Sequence, residues 1–283
     1  MKPCNLHYVF NSEYYSVLGL EDDGARKTGD DLKSHYKECN EIIATCMFYE
    51  STREIPLVFE SMHFVLKVTY PGLLAGLGYP HEIDNKIGGS DDAIKLGFSL
   101  DFVSGLPVIP GSTIKGILRS AFKNDPGYVK EQLTNLGVPL QQENIELIDI
   151  EDEIFGKPAL KGHAKGIDAF LDAIPIKHDK PDIQGYVLNL ENITPHRRKG
   201  DLLSQVGLKD PIPLRLLKVR PKVEFLFRFI LQGGLVDIET KCLLFKQILL
   251  DMGVGAKTNV GFGGMLSVQS SPPYHELIAA TAD

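Results

Sequence analysis

The segment Gly253-Val-Gly-Ala-Lys-Thr-Asn-Val-Gly-Phe-Gly263 sets four glycines at fixed spacing around a lysine, a hydroxyl and an amide. Glycine takes positive φ at no steric cost and leaves main-chain N–H groups uncovered, so such a loop can bring backbone donors against a phosphate or a nucleotide edge. Lys257, Thr258 and Asn259 supply the side-chain contacts. Two familiar nucleotide loops are excluded by spacing. The phosphate loop of the NTPases needs glycine directly before the lysine, where Ala256 stands, and a helix after it. A dinucleotide fingerprint needs a third glycine where Thr258 stands, and a strand before the loop. A glycine-rich turn with no ligand is the plain alternative.

The order of elements around the loop follows from periodicity. Ile238, Cys242, Phe245, Leu249 and Met252 recur at the helical period, which predicts a helix over 237–252 with Asp237 or Thr240 near its start and Gly253 closing it. Residues 262–268 read as the strand that follows.

A second cluster is Pro110-Gly-Ser-Thr-Ile-Lys115, which opens a segment with helical spacing at Ile114, Ile117, Leu118, Ala121 and Phe122. The pattern predicts a helix over 112–123 with Ser112 as N-cap. Lys115, Arg119 and Lys123 recur every four residues and form one basic stripe, suited to a polyanion backbone or to plain solvent. Ser112 and Lys115 also spell the Ser-x-x-Lys pair of serine acyl-transferases. That chemistry needs a Ser-x-Asn element between the pair and a Lys-Thr-Gly strand, whereas Ser90-Asp-Asp92 lies upstream and Asn259 replaces the glycine. A third cluster, His196 followed by Arg197, Arg198 and Lys199, is the densest positive charge in the chain. Arg and Lys supply phosphate affinity without reading sequence, and the histidine can stack on or donate to a base or ribose.

The spacing of the 253–263 loop after a helix resembles the signature loop of the RAMP superfamily of CRISPR-associated RNA-binding proteins. The blocks 105–119, Phe170-Leu-Asp-Ala-Ile-Pro175 and Asn192-Ile-Thr-Pro-His196 stand in the order found in the family of the sixth subunit of the Cmr (type III-B) effector complex. The similarity spans about residues 58–270. It implies a non-catalytic, cytoplasmic RNA-binding subunit of a hetero-oligomeric antiviral ribonucleoprotein, with guide (CRISPR) RNA, target RNA and other Cmr RAMP subunits as partners. The implied RNA-binding residues are Ser112, Lys115, Arg119, His196, Arg197, Arg198, Gly255, Lys257, Thr258, Asn259 and Gly261. An aromatic residue often follows the family's histidine, and Arg197 stands there instead. Two other RAMP activities are alternatives. A metal-independent CRISPR-repeat endoribonuclease would use His63, His81 or His196 as acid or base, with Lys115 or Lys257 on the phosphate. A target-cleaving subunit would use a loop aspartate such as Asp84, Asp91, Asp92 or Asp101.

Composition bounds these readings. The 283 residues are 43% hydrophobic, enough for one large core, and the formal charge is 30 − 37 = −7. A stand-alone nucleic-acid binder usually carries a basic footprint, so partner chains are expected to complete the binding channel. Cys4, Cys39, Cys46 and Cys242 show no C-x-x-C pair and no histidine at ligand spacing, so neither metal site nor disulfide framework is expected, and no cofactor is implied. No leader or membrane-spanning stretch is read, which suits a reducing cytoplasm.

The expected fold class is α+β, with a ferredoxin-like β-α-β-β-α-β core of RAMP type. Its members are a strand over 58–69, the 112–123 helix, strands near 185–193 and 222–231, the 237–252 helix and the final strand. In 222–231, Val223, Phe225, Phe227 and Phe229 alternate with Lys222, Glu224 and Arg228, as in a half-buried antiparallel strand. One domain over 1–283 is expected, with 1–57 as an N-terminal extension and 70–109 and 124–184 as insertions.

Overall fold

The structure, a computed structural model, describes residues 5–18, 29–46, 62–78, 93–94, 96–140, 145–157, 164–178, 186–193 and 214–268. The helices are α1 (Leu6–Asn11), α2 (Gly29–Ala44), α3 (Gly111–Asn124), α4 (Pro126–Asn135), α5 (Leu147–Phe155) and α6 (Ile238–Met252). The strands are β1 (Met62–Val68), β2 (Gly156–Lys157), β3 (Ala164–Lys165), β4 (Ala169–Phe170), β5 (Ile174–His178), β6 (Leu188–Ile193), β7 (Leu214–Val219), β8 (Val223–Ile230) and β9 (Met265–Ser267). These fall into two compact units, one built from 1–49, 74–107 and 180–220, the other from 50–73, 108–179 and 221–283.

The second unit holds a mixed arrangement of helices around a five-stranded antiparallel sheet in the order β4-β8-β1-β9, with β5 also paired to β8. Alternation in β8 puts Val223, Phe225, Phe227 and Phe229 on one face, all fully buried. The Phe64 and Phe227 rings stack at 5.5 Å, and Phe229 meets Phe245 of α6 at the same distance. Phe155 of α5 joins Phe122 of α3 and Phe170 of β4 in the same cluster. Burying each such ring stabilises the fold by about 1.5–3 kcal/mol, so the aromatic face anchors α3, α5 and α6 to the sheet. The opposite face is covered as well: Leu226 is 1% and Glu224 5% exposed, and Lys67 Nζ stands 3.5 Å from Glu224 Oε1. β8 is therefore buried on both sides, deeper than its alternation suggested.

The strand expected near 185–193 lies elsewhere. β6 pairs with β7 over six positions in the first unit, and the neighbour of β8 is instead β4 with β5, within the stretch read as an insertion. Pro175 explains why this segment reads poorly as a strand: proline cannot donate to a ladder, and it sits at an edge where the register shifts between Pro175 and Lys177.

One buried charge holds α6 to this unit. Lys241 is fully buried, with its Nζ 3.1 Å from Asp168 Oδ2, 3.4 Å from Glu153 Oε1 and 2.8 Å from the Gln232 carbonyl oxygen. Two hydrogen bonds, to Asp168 and the Gln232 carbonyl, and the nearby Glu153 carboxylate compensate the charge, which is what makes a buried lysine tolerable.

In the first unit, the Tyr14 and Tyr36 rings lie 5.0 Å apart. The Tyr14 hydroxyl accepts from the Ile94 amide at 2.6 Å and donates to Asn40 Oδ1 at 3.2 Å. Burial pushes that phenol well above its usual pKa, so it remains a donor. Among the described residues, no helix is long and apolar enough to cross a membrane.

Candidate nucleic-acid interface

The glycine-rich loop is built from its two ends. Asp237 caps α6 by accepting from the Thr240 amide at 2.9 Å, with the Thr240 hydroxyl donating to it at 2.6 Å; these bonds hold its carboxyl below the usual range. At the other end Gly253, at φ 73°, closes the helix with its amide on the Leu249 carbonyl. The chain then leaves and returns. The Val254 amide donates to the Gly263 carbonyl at 2.8 Å, and the Gly263 amide donates to the Gly72 carbonyl at 2.8 Å. A Cβ on Gly263 would strike the Val254 carbonyl oxygen, so only glycine fits this crossing. All four glycines, Gly253, Gly255, Gly261 and Gly263, take positive φ.

Between these pinned ends the loop projects. Lys257, Asn259, Val260 and Gly261 are exposed, and Thr258–Val260 form one 3-10 turn closed by the Gly261 amide on the Thr258 carbonyl. Among the described residues, the amides of Gly255, Ala256 and Lys257 have no hydrogen-bond partner. Lys257 itself is left-handed, at φ 60° and ψ 35°, a region that costs a side-chain-bearing residue about 1–2 kcal/mol. The C-terminal end of the α6 dipole, worth about half a negative charge, faces the loop, and the full positive charge of Lys257 outweighs it. The result is a small cationic projection of backbone donors, chemically fit to hold one or two phosphates.

The helix residues behave differently. α3 begins at Gly111, with Pro110 in the cap position and no side-chain cap of its own, so Ser112 is an exposed residue of the first turn rather than the N-cap. The Gly111 amide donates to Asp172 Oδ1 at 2.7 Å, and the Phe170 carbonyl oxygen packs against Gly111 so closely that a Cβ there would collide with it. A carboxylate thus already sits where an anion would bind. Arg119 is committed inward: its Nε donates to Glu151 Oε1 at 2.9 Å and its guanidinium to the Gly156 carbonyl at 2.9 Å. Lys115 lies 5.9 Å above the Phe170 ring, half-buried, and only Lys123 of the stripe is exposed. The expected basic stripe is mostly an internal clamp between α3, α5 and β4.

His196, Arg197 and Arg198 lie outside the described residues, as do His81, Asp84, Asp91 and Asp92. His63 is half-buried in β1 opposite Arg228, and Asp101 is taken up in a turn, accepting from the Ser104 amide and hydroxyl. Among the described residues no group of histidine, cysteine, aspartate and glutamate could hold a metal ion.

Sequence reasoning missed the second wall of the loop. The Thr69 amide donates to the Gly264 carbonyl at 2.9 Å, and Pro71 Cδ lies 3.7 Å from where a Cβ on Gly261 would stand. Tyr70, between these anchors, is 84% exposed. The Lys222 amide donates to the Val68 carbonyl at 2.7 Å, bringing a second left-handed lysine, φ 73°, to the same end of β1. The available signal was Tyr70-Pro71-Gly72 directly after an alternating strand, a turn that leaves its first side chain outside.

The chain is similar to known proteins in sequence and in fold. The chain is 31% identical over 208 residues to the CRISPR system Cmr subunit Cmr6 of Pyrococcus furiosus, a match spanning 57% of this chain and 58% of that protein, thus under two thirds of its length. It is 25% identical over 257 residues to the Cmr6 subunit of Saccharolobus solfataricus, covering 88% of this chain and 76% of that one. In fold it is similar to a chain of the type III-B Cmr-beta structure bound to cognate target RNA, with a TM-score of 0.56 at 21% identity, over 93% of this chain and 85% of that chain. The family model for the RAMP superfamily matches residues 65–265, a span that runs from β1 through the glycine-rich loop to the start of β9. The chain belongs to the RAMP superfamily.

Proposed function

We propose that this chain is a non-catalytic RNA-binding structural subunit of a type III-B CRISPR ribonucleoprotein, acting in the cytoplasm in antiviral defence. It holds guide RNA, or guide paired with target, by the sugar-phosphate backbone and packs on neighbouring RAMP subunits. The observation that carries this reading is the loop at 253–263: a projection of exposed Lys257 and Asn259 on backbone shaped by four positive-φ glycines. Such a site binds phosphate without reading bases, which suits a system in which sequence is read by guide–target pairing. Similarity to two proteins named as Cmr subunits supports the assembly. The net charge of −7 supports a binding channel shared with partner chains.

The sheet order, with the last strand beside the first, the first beside β8, and β4 and β5 outermost, supports a ferredoxin-like core of RAMP type. The unbroken family match across both compact units supports one decorated RAMP domain. His196, Arg197 and Arg198 remain proposed RNA contacts on charge, Ser112 and Lys115 are secondary to the loop, and the inward bonds of Arg119 take it off the RNA face.

The test is to incubate the purified chain with labelled CRISPR-repeat RNA and a 2′-deoxy control, with and without divalent metal, scoring binding and cleavage on the same gels. Binding without cutting is expected. Metal-independent cleavage abolished by the 2′-deoxy substitution would replace this function with a processing endoribonuclease.

A further inference from the structure

We infer that Tyr70 is a stacking platform for one unpaired nucleobase, set beside the phosphate-holding loop. This rests on the RNA-binding function just proposed and adds to it a preference for an unpaired or terminal nucleotide.

A single exposed aromatic is ordinary on a protein surface. The surroundings of Tyr70 are not. Its two flanks are pinned to the glycine-rich loop by the Thr69 bond to Gly264 and the Gly72 bond to Gly263, and Pro71 abuts Gly261. The ring is thus mounted on backbone that cannot drift from the loop, while it remains 84% exposed. Across the joint, Val260 is 68% exposed, an apolar side chain one residue from Asn259 and three from Lys257. Cationic donors and apolar, π-bearing surface therefore alternate over a few residues, as phosphate and base alternate along a single strand.

The geometry also selects among RNA forms. A base can stack on a protein ring only if one of its faces is free, and within a continuous duplex both faces are covered by neighbouring bases. The covered faces of β8 leave no open sheet platform there, with Leu226 1% exposed, so among the described residues of this unit the joint between Tyr70 and the loop offers a splayed or terminal base an exposed aromatic. Tyrosine suits the task, since two rotatable bonds cost little ordering entropy on contact.

The experiment uses the full chain with single-stranded RNA carrying 2-aminopurine at successive positions, an RNA duplex closed at both ends by non-nucleotide linkers, and a mononucleotide competitor. Because the chain contains no tryptophan, the probe signal is free of indole interference. Tyr70→Ala is expected to weaken single-strand binding about five- to hundredfold, the range for loss of one aromatic–base stack, with the salt dependence unchanged. Tyr70→Phe is expected to bind as wild type, and duplex affinity is expected to be the same in all three. One probe position should change its emission on binding to wild type and Tyr70→Phe only. The mononucleotide should not compete at equal base concentration. If Tyr70→Ala binds single strands as wild type does while Lys257→Ala is weakened, the stacking inference falls and the RNA-binding function stands. Failure of wild type to bind any RNA would remove both. Loss of association with a partner subunit in Tyr70→Ala, with RNA affinity intact, would reassign the ring to a protein interface and overturn the inference.

Discussion

Replacing Lys257 by glycine should make the protein more stable and a poorer RNA binder at once. Lys257 sits at φ 60°, ψ 35°, where a residue with a Cβ costs about 1–2 kcal/mol and glycine costs almost nothing. Glycine returns about 0.5–1 kcal/mol to the unfolded chain as extra conformational freedom. The net expectation is a gain of about 0.5–1 kcal/mol, seen as a rise of about 1–3 °C in the melting midpoint. The ammonium is exposed, so its contact with a phosphate is worth at most about 1 kcal/mol, or fivefold in Kd. The more specific readout is salt: losing one phosphate contact to a single strand should flatten the slope of log Kd against log salt by about 0.7. Lys257→Ala separates the two effects, because it removes the charge and keeps the unfavourable backbone; it should show the same slope change with no gain in stability. A fall in stability for Lys257→Gly would mean that the lysine has an internal role. An unchanged salt slope in both variants would refute its place on the RNA backbone.

Lys241→Met should destabilise the fold by about 3–5 kcal/mol in denaturant titrations, since it leaves the fully buried Asp168 carboxylate without its counter-charge; adding Asp168→Leu should recover part of the loss. A single variant within 1 kcal/mol of wild type, about the size of a surface pair, would contradict the burial of this group. Gly263→Ala should open the loop by collision with the Val254 carbonyl, and RNA affinity should fall more than for Lys257→Ala in the same assay. Arg119→Ala should cost about 2 kcal/mol of stability through the lost Glu151 and Gly156 bonds while leaving the salt slope of RNA binding untouched; a flatter slope would restore Arg119 to the RNA face. Burial pushes the Cys242 thiol from 9.0 up to about 11. The unfolded chain therefore loses this proton first as pH rises, and stability should fall between those values, less so in Cys242→Ala; equal falls in both would show that the thiol does not titrate as a buried group.

What the residues disclosed was local. The ends of α6, the cap at Asp237 and the helix-closing role of Gly253 follow from periodicity and glycine placement within a few positions. Long-range pairing was hidden. β5 contains Pro175 and a register shift, so it reads weakly, while the more regular 188–193 segment took its place in the expected sheet although its partner is β7. The cap of α3 comes from Asp172, 61 residues away, which no local pattern announces, and the local candidate Ser112 was chosen instead. Arg119 looked like a surface cation because helical spacing shows which residues share a face but not that Glu151 arrives to claim one of them. Tyr70 was passed over because the turn that exposes it is locked to the loop by backbone bonds across nearly two hundred residues of sequence.

The most direct test of the central claim is to place a photo-reactive amino acid at Asn259 in the full chain, assemble it with guide RNA and partner RAMP subunits, and identify what it captures. Asn259 is exposed at the tip of the projection and makes no contact that the fold requires. A crosslink to the guide strand, reduced when Lys257→Glu is added, is the expected result. Capture of a neighbouring protein subunit with no RNA adduct would contradict it and make the glycine-rich loop a protein-docking element.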